Sequence, residues 1–552
     1  MSERASPVVE RFPETGVFDA VVVGAGFAGM YMLHRLRGLG LSTRVYEAGS
    51  GVGGTWYWNR YPGARCDVES VDYSYSFSDE LQQEWCWTER YAAQPEILRY
   101  AEHVADRFDL RRDIRFDTRV IAAHFDEATG RWQIETDRND RVSSRFCIMA
   151  TGTLSTPQEP PFPGLKQFSG AWYQTGRWPH HAVDFSGQRV AVIGTGSSAI
   201  QSIPVIASQA SSVTVFQRTA NYSVPAHNRP QDKALEQRIK ANYGDYRRAA
   251  RESRLGFVVP TTGVSALSVS AEARQAEYER RWQRGGLGFA AAFNDLLVNQ
   301  EANDTAAHFF REKIRGIVTD RATADALCPT GYPLGTKRVC VDTNYYDTYN
   351  QDHVSLVDLR RERLLEITAA GVRTATAEYA VDSIVFAIGF DAMTGTLLRM
   401  DIRGRSGESL RDRWSAGPRS YLGLAVAGFP NLFMITGPTS PSVLSNVLVS
   451  IEQHVEWIVD CIGWLGTRGH DLIEATPEAE AAWMAHADEL ARITLYPLAN
   501  SWYTGANIPG KPRMVMPYVG GVGAYRKRCD EIAANGYQGF MLSGPLRLEP
   551  TA

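Results

Sequence analysis

Apolar and polar positions along the chain form a strand, turn and helix pattern that occurs twice. Residues 18–39 carry an apolar strand, a glycine-rich turn and a helical pattern, and residues 188–206 repeat that order. Units of this kind bind a nucleotide phosphate at the amino end of the helix. The two copies therefore predict two nucleotide-binding domains.

The stretch from residue 225 to residue 332 has a different pattern. It holds charged segments with helical spacing, and no comparably strong strand pattern interrupts them. Strand character returns afterwards, so we predict an α/β fold with two Rossmann-like dinucleotide-binding domains and a helical insertion in the second. The predicted helices cover 233–248, 271–284, 301–315 and 445–465, and later strand character covers 373–390 and 432–437. The predicted domain bounds are 1–152 and 387–552 for the first domain, 153–224 and 333–386 for the second, and 225–332 for the insertion.

Length, charge and cysteine usage narrow the class of protein. A chain of 552 residues exceeds what one core supports, and a net charge of −4 predicts small-molecule partners, with no nucleic acid and no membrane partner. Residues 1–15 lack the apolar stretch of a secretory signal. Seven scattered cysteines without a C-x-x-C pair predict reduced thiols in a cytoplasmic protein, with no metal site.

The first turn carries a dinucleotide fingerprint. Gly24 permits the tight turn, Gly26 lets a pyrophosphate approach the backbone, and Gly29 lets the helix pack on the strand. Glu47 ends the next strand, where a carboxylate can accept hydrogen bonds from ribose hydroxyls. An unphosphorylated ribose is therefore predicted at this site.

A further glycine-rich segment, residues 51–56, favours FAD over NAD at this first site. Its paired glycines let the backbone approach a bulky cofactor for a second time. The contacts that we predict from it come from Gly54, Thr55 and Trp56. Segments 149–152 and 387–391 each end a strand in a glycine turn, and they resemble the interdomain crossovers of flavoproteins with two dinucleotide-binding domains.

The second turn differs from the first at the position that recognises ribose. Its next strand is followed by Arg218 and Thr219, where a site for NAD would place an acid. No carboxylate repels a ribose phosphate there, and Arg218 can form a bidentate pair with it, so the predicted cofactor is NADPH. The residues predicted to hold it are Gly194, Gly196, Ser197, Ser198, Arg218 and Thr219.

Two longer motifs resemble those of type I Baeyer–Villiger monooxygenases. Residues 53–67, GGTWYWNRYPGARCD, resemble the flavin-side signature of that family, and residues 168–179 resemble its linker fingerprint F-x-G-x-x-x-H-x-x-x-W-P. Trp178 matches the fingerprint and separates the chain from relatives that act on amines or sulfides. Gln174 replaces the histidine, so this side chain can hydrogen-bond but cannot become a cation near neutral pH.

The resemblance, which runs from about residue 17 to residue 545, implies an activity. It implies an enzyme that binds FAD and NADPH and uses molecular oxygen to convert a ketone substrate to an ester or lactone through a C4a-peroxyflavin. Residues 437–446 resemble a family segment that lines the substrate pocket. The identity of the ketone does not follow from these motifs.

The resemblance also implies roles for particular residues. Arg338, in the motif 335–338, is the implied catalytic residue, with Asp67 as its carboxylate partner beside the flavin. Lys337 joins Arg218 in gripping the ribose phosphate, and Trp502 lies on a loop that closes over the nicotinamide cofactor. Sequence spacing alone would favour a structural ion pair for Asp67 and Arg338.

Three other functions are weighed against this one. A relative that oxygenates nitrogen or sulfur shares both nucleotide sites, and the replacement at Gln174 keeps it open, although Trp178 and Asp67 count against it. A disulfide reductase would need a redox cysteine pair near the flavin, and the sequence has none. A non-catalytic binding scaffold leaves the second nucleotide fingerprint without a purpose.

Overall fold

The computed structural model describes residues 14–544, and its core is built on two large sheets. The first is an eight-stranded mixed sheet in which the strands Thr15–Val23 and Arg141–Met149 lie at the centre and pair in parallel. Its remaining strands are Thr43–Tyr46, Ile114–Arg115, Val120–Asp126, Arg131–Thr136, Asp401–Arg403 and Leu432–Met434. The predicted absence of a secretory signal concerns mainly residues 1–13, which lie outside the described part.

The second sheet has five strands, all parallel. In spatial order they are Val354–Asp358, Ser212–Gln217, Arg189–Ile193, Ser383–Phe386 and Ala171–Gln174. Three smaller sheets complete the strands: Ser223–Pro225 with Cys340–Asp342, Leu472–Ala475 with Phe540–Ser543, and the antiparallel set Leu364–Ile367, Gly371–Thr374 and Glu378–Ala380.

Helices cover the two large sheets and fill the segment between residues 225 and 332. The described α-helices are Phe27–Gly38, Thr55–Trp58, Asp79–Glu84, Gln94–Arg107, Ser197–Ala207, Lys233–Lys240, Tyr243–Glu252, Ala271–Arg284, Gln300–Ile317, Arg321–Leu327, Tyr345–Thr348, Gly395–Arg399, Leu410–Arg413, Val447–Arg468, Pro477–Arg492 and Val522–Ala534. None of the described helices is long and apolar enough to cross a membrane.

The predicted insertion is helical, with one difference from the prediction. Residues 233–248 form parts of two helices, because Asn242 has φ −136° and ψ 37°, outside the helical region. The predicted helices over 271–284 and 301–315 are present, the second within Gln300–Ile317. The predicted fold class, two Rossmann-like domains in an α/β chain, is confirmed, whereas the numbered domain bounds stay predictions.

The two domains share one local construction at the centre of each sheet. Ala20, Val21 and Val22 have no exposed surface, as expected for a strand covered on both faces. The first glycine of each turn lies against the end of a neighbouring strand: a Cβ on Gly24 would lie 2.6 Å from the carbonyl oxygen of Ala150, and one on Gly194 would lie 2.3 Å from that of Ala387. The segments predicted as crossovers therefore begin directly beside the two nucleotide turns.

Candidate active site

One continuous cavity of about 1350 Å³ reaches both glycine-rich turns. Turns that follow parallel strands meet at the carboxyl edge of a sheet, which is where nucleotide sites form. The predicted site residues that line the cavity are Gly24, Gly26, Glu47, Gly54, Thr55, Trp56, Asp67, Gly194, Gly196, Ser197, Ser198, Arg218, Thr219, Lys337, Arg338 and Trp502. The structure thus brings both predicted nucleotide sites and the predicted catalytic pair to the same space.

Three glycines shape the first turn in different ways. Gly24 has φ +105°, a conformation that favours glycine, and Gly26 lies against Gly54, where an added Cβ would approach within 3.3 Å of the Gly54 Cα. Gly29 does not line the cavity, because it packs beneath the turn, where a Cβ would lie 1.8 Å from the Gly24 carbonyl oxygen. Gly29 therefore lets the helix pack closely against the strand, as the sequence predicts.

Glu47 is buried at the first turn and holds the turn together. Its Oε2 accepts the N–H of Ala25 at 2.7 Å, and its Oε1 accepts the N–H of Gly49 at 2.7 Å. Burial raises the pKa of this carboxyl, and the backbone N–H groups oppose that shift. Each oxygen has a second lone pair, so the same carboxylate can also accept from ribose hydroxyls in the cavity.

The second turn is open where a phosphate would approach. A Cβ on Gly196 would meet no heavy atom within 4 Å, and Ser197 and Ser198 begin the helix Ser197–Ala207. Thr195 donates to the carbonyl oxygen of Thr219 at 2.8 Å, which fixes the turn against the strand end that carries Arg218. Free helix N–H groups beside an open glycine fit a pyrophosphate.

Arg218 and Lys337 form a pair of like charges on the cavity wall. Burial, and after it the positive charge of Arg218, together lower the pKa of Lys337 to about 8. Within residues 14–544 neither side chain forms a salt bridge, while the Lys337 Nζ lies 4.4 Å from the centre of the Tyr332 ring. Two cations held together without a carboxylate fit a bound phosphate group.

Arg338 is held in a fixed orientation by three hydrogen bonds. Its Nε donates to Asp67 Oδ2 at 2.8 Å, its Nη2 to Asp67 Oδ1 at 2.6 Å, and its Nη1 to the carbonyl oxygen of Val443 at 2.9 Å. Burial alone would lower the pKa of Arg338, but the contact with Asp67 outweighs it and raises the pKa. A guanidinium has five N–H donors, so one on Nη1 and one on Nη2 are left for the cavity.

Trp502 stands at the cavity wall in a half-buried position. It begins the short 3₁₀ turn Trp502–Thr504, and its ring centre lies 4.3 Å from that of Tyr503. The predicted substrate segment also reaches this space through Val443 and Ser445. These residues supply apolar and polar parts of the wall of the cavity that Arg338 also lines.

Gln174 and Trp178 have different structural roles in the linker motif. Gln174 ends the edge strand Ala171–Gln174, is buried, and donates from Nε2 to the carbonyl oxygen of Gln158. Gln158 in turn donates to the carbonyl oxygen of Ile388 at 3.2 Å. Trp178 is buried in the core of the second domain, 5.3 Å between ring centres from Tyr173. Gln174 is therefore linked by hydrogen bonds, through Gln158, to the second crossover segment, residues 387–391.

Some residues that shape the site were missed by the sequence analysis. The Val443 carbonyl that accepts from Arg338 is a backbone group, and the residue type at that position does not predict the contact. Gln201 also lines the cavity and bonds to Tyr61 and Arg65 across the domain boundary. The one feature of the sequence that could have pointed to Gln201 is its position on the helix that follows the second glycine-rich turn.

The cysteines do not form a redox centre. All seven are free thiols, and Cys66, which lines the cavity beside Asp67, is buried. Burial is the main reason that the pKa of the Cys66 thiol is raised, so its thiolate is disfavoured. Disulfide reductase chemistry therefore has no reactive cysteine pair here.

Known proteins resemble this chain over nearly its whole length. The family model described as pyridine nucleotide-disulphide oxidoreductase matches residues 21–272. A Baeyer-Villiger monooxygenase of Pseudooceanicola batsensis is 44% identical over 94% of this chain and 95% of that protein. A phenazine N-monooxygenase of Lysobacter antibioticus is 45% identical over 95% of this chain and 97% of that protein.

A solved structure agrees with the fold as well as the sequence. An oxidized steroid monooxygenase bound to NADP is 54% identical, covers 96% of this chain and 100% of its own, and superposes with a TM-score of 0.92. Identity of this size over the whole length agrees with the signature at 53–67 and with the two nucleotide turns, and all three support the same family. The chain belongs to the Baeyer–Villiger monooxygenase family.

Proposed function

We propose that this protein is an NADPH- and oxygen-dependent flavin monooxygenase that converts ketones to esters or lactones, with Arg338 as its catalytic residue. The observation that carries the assignment of Arg338 is its position: a guanidinium oriented by Asp67 on the wall of the cavity that both nucleotide turns share. FAD and NADPH are the cofactors.

The first turn is where FAD would be held. Gly24 and Gly26 line the cavity at the start of the helix Phe27–Gly38, where a pyrophosphate would bind, and Glu47 offers its free lone pairs to ribose. Gly54 and Thr55 line the continuation of the same cavity. When bound, reduced FAD supplies the activation of molecular oxygen toward a ketone carbonyl.

The second turn is where NADPH would be held. Gly196 with Ser197 and Ser198 would receive the pyrophosphate. Arg218 and Lys337, which form no salt bridge with any residue from 14 to 544, would receive the ribose phosphate. Trp502 would cover the nicotinamide end, since it lines the same cavity as Asp67 and Arg338. The carboxylate that excludes a ribose phosphate from sites for NAD is replaced here by Arg218.

Arg338 would act on the oxygen of the ketone. Oxygen attack on a carbonyl carbon places negative charge on the carbonyl oxygen, and the two free N–H groups of Arg338 can donate to it. Asp67 and Val443 keep the guanidinium in place, so little reorganisation is needed as the charge develops. The Arg338 guanidinium stays positively charged at the pH of the reaction, because Asp67 raises its pKa.

The test is turnover of the purified protein with its flavin. The protein is expected to be yellow, to consume NADPH and oxygen faster when a ketone is added, and to form the ester or lactone. A panel of a small cyclic, an aryl and a steroid ketone with product analysis checks this. Consumption of NADPH without any oxygenated product from the panel would contradict the proposal.

Oxygenation of an aromatic ring nitrogen is a second candidate. The relative from Lysobacter antibioticus named as a phenazine N-monooxygenase is 45% identical, which is close to the identity of the Baeyer-Villiger relative. Offering the protein a phenazine and a ketone in one competition assay separates the two functions. N-oxide as the main product would favour this candidate over ester formation.

A cytoplasmic location and small-molecule partners complete the proposal. All seven cysteines are free thiols, as expected of a protein from a reducing compartment. Fractionation of the source cells with an antibody against the protein tests the location.

A further inference from the structure

Gln201 connects the two nucleotide-binding domains close to Asp67. It lies on the helix Ser197–Ala207, whose first residues form the second nucleotide turn. Its side chain faces residues 61–65, which belong to the flavin-side signature and precede Asp67. The contact therefore joins the part of the chain that would hold NADPH to the part that carries the partner of Arg338.

Both ends of the Gln201 amide are used in this contact. Its Oε1 accepts from the Tyr61 hydroxyl at 2.8 Å and from the Arg65 backbone N–H at 3.3 Å. Its Nε2 donates to the Arg65 carbonyl oxygen at 3.0 Å. A side chain that pairs with both backbone groups of Arg65 fixes that residue much as a neighbouring strand would.

The backbones also approach closely at this point. Gly63 has φ +79°, and a Cβ there would lie 2.3 Å from the carbonyl oxygen of Gln201. Burial raises the pKa of the Tyr61 hydroxyl, and the negative charge of Asp67 raises it further. Tyr61 therefore stays protonated and keeps donating to Gln201.

We propose that Gln201 is a positioning residue that sets the place of Asp67, and through it the direction of Arg338, from the NADP-binding helix. Asp67 is two residues beyond Arg65, and both of its oxygens accept from Arg338. This inference rests on the proposed function, because its consequence is read in ester formation. Removing the link frees residues 61–65 from the helix, and a small displacement of a donor weakens its stabilisation of developing charge.

The substitution Gln201→Met keeps the side-chain length and removes the three hydrogen bonds. The matched control is Gln209→Met, just beyond the same helix, where the side chain of the exposed glutamine makes one hydrogen bond among the described residues, accepting from the Phe185 N–H at 3.4 Å. We expect Gln201→Met to keep bound FAD, the KM for NADPH and the rate of flavin reduction. The ratio of hydrogen peroxide to ester is expected to rise about threefold to tenfold, in keeping with the loss of a few hydrogen bonds.

The substitution Gln201→Glu adds a second measurement, the pH dependence of ester formation, which would not change if Gln201 had only a structural role. An ionised carboxylate can still accept from Tyr61 and Arg65 but cannot donate to the Arg65 carbonyl oxygen. Protonation restores that donor, so the fraction of NADPH that ends in ester is expected to recover as the pH falls in this variant. The wild-type enzyme and Gln209→Met are expected to lack that recovery.

Three results decide the inference. If the wild-type enzyme forms ester and Gln201→Met keeps the same ratio of peroxide to ester, Gln201 has no positioning role and the proposed function stands. If no ketone of the panel gives ester with the wild-type enzyme, the proposed function fails and this inference fails with it. Should Gln201→Met not retain FAD, Tyr61→Phe removes one of the three hydrogen bonds, and unchanged coupling in that variant overturns the inference.

Discussion

At the scale of single residues, the three cationic side chains of the site, Arg338, Arg218 and Lys337, have different neighbours. Arg338 has a carboxylate partner in Asp67, whereas Arg218 and Lys337 have each other as neighbours and form no salt bridge within the described part of the chain. A paired guanidinium keeps its direction, and unpaired cations attract an anion from outside. The proposed function therefore assigns catalysis to the paired cation and cofactor recognition to the other two.

Arg338→Ala tests the catalytic assignment. The charge that Arg338 stabilises appears only after the flavin is reduced, so reduction by NADPH should continue. One preorganised donor to developing charge contributes about 2.7–4 kcal/mol, so ester formation should fall on the order of a hundredfold or more. Stopped-flow reduction and product analysis on the same preparation check both halves. Normal ester yield would remove Arg338 from the mechanism, and failed reduction would place it in NADPH binding.

Arg218→Ala tests the choice between NADPH and NADH. A charge-assisted hydrogen bond of about 1.5–3 kcal/mol is lost, and only the phosphorylated cofactor makes it. The KM for NADPH should rise by roughly tenfold to a hundredfold, while that for NADH should change little. Steady-state kinetics with both cofactors measures the difference. An equal rise for both would mean that Arg218 does not contact the ribose phosphate.

The pKa of Lys337 predicts a pH dependence of cofactor binding. Without phosphate this pKa is lowered to about 8, so the ammonium loses its proton as the pH rises above that value. A bound phosphate raises the pKa again, so binding above pH 8 requires proton uptake and the KM for NADPH should rise, by up to about tenfold per pH unit. Lys337→Arg keeps the charge and should flatten the profile. A wild-type profile that stays flat to pH 9.5 would refute this.

At the scale of elements, the two glycine-rich turns use their glycines for different reasons. Gly24 and Gly194 have positive φ and lie against the backbone of a neighbouring strand, whereas Gly196 has φ −83° and open space beside it. The first kind of glycine is required by the fold, and the second kind by the ligand. The sequence alone does not distinguish these two kinds of glycine.

A matched pair of substitutions separates these two uses. Gly24→Ala puts a Cβ 2.6 Å from the Ala150 carbonyl oxygen in a strained conformation, so it should cost about 1–3 kcal/mol or more of unfolding free energy and reduce FAD content. Gly196→Ala meets no protein atom within 4 Å and should keep stability and FAD while weakening NADPH binding. Thermal unfolding, flavin absorbance and NADPH titration compare the two. Equal melting temperatures for both variants would contradict the assignment.

At the scale of the whole molecule, the two domains are joined by hydrogen bonds near the cavity. Gln174 donates to Gln158, which reaches Ile388 beside the second crossover, and Gln201 holds residues 61–65. None of these contacts requires a charged group. A neutral glutamine at position 174 is thus able to serve where the family motif has histidine.

Gln174→His tests whether a hydrogen bond is all that this position supplies. Imidazole can donate to the Gln158 carbonyl oxygen as the amide does, so ketone oxidation should persist with a modest change in released peroxide. Gln174→Leu, of similar size but without a donor, should increase peroxide release more. Peroxide and ester measured together give the comparison. Loss of FAD in Gln174→His would show that the residue has another role.

The sequence by itself determined the features that are encoded within short segments. Strand, glycine turn and helix follow from about twenty consecutive residues, so residues 18–39 and 188–206 could be predicted as nucleotide sites. The helical insertion followed from local spacing in the same way. The role of Arg218 in selecting NADPH stays a prediction. The pairing of Arg338 with Asp67 came from a family resemblance, because periodicity cannot relate residues that are 271 positions apart.

The tertiary structure alone decided how distant segments meet. It placed the Val443 carbonyl oxygen within hydrogen-bond distance of Arg338 and gave Gln201 its three bonds to Tyr61 and Arg65. These outcomes depend on the packing of one domain against the other and on the direction of backbone groups. Neither quantity is a property of any short segment, since backbone carbonyls are the same for every residue type and long-range contacts leave no local pattern.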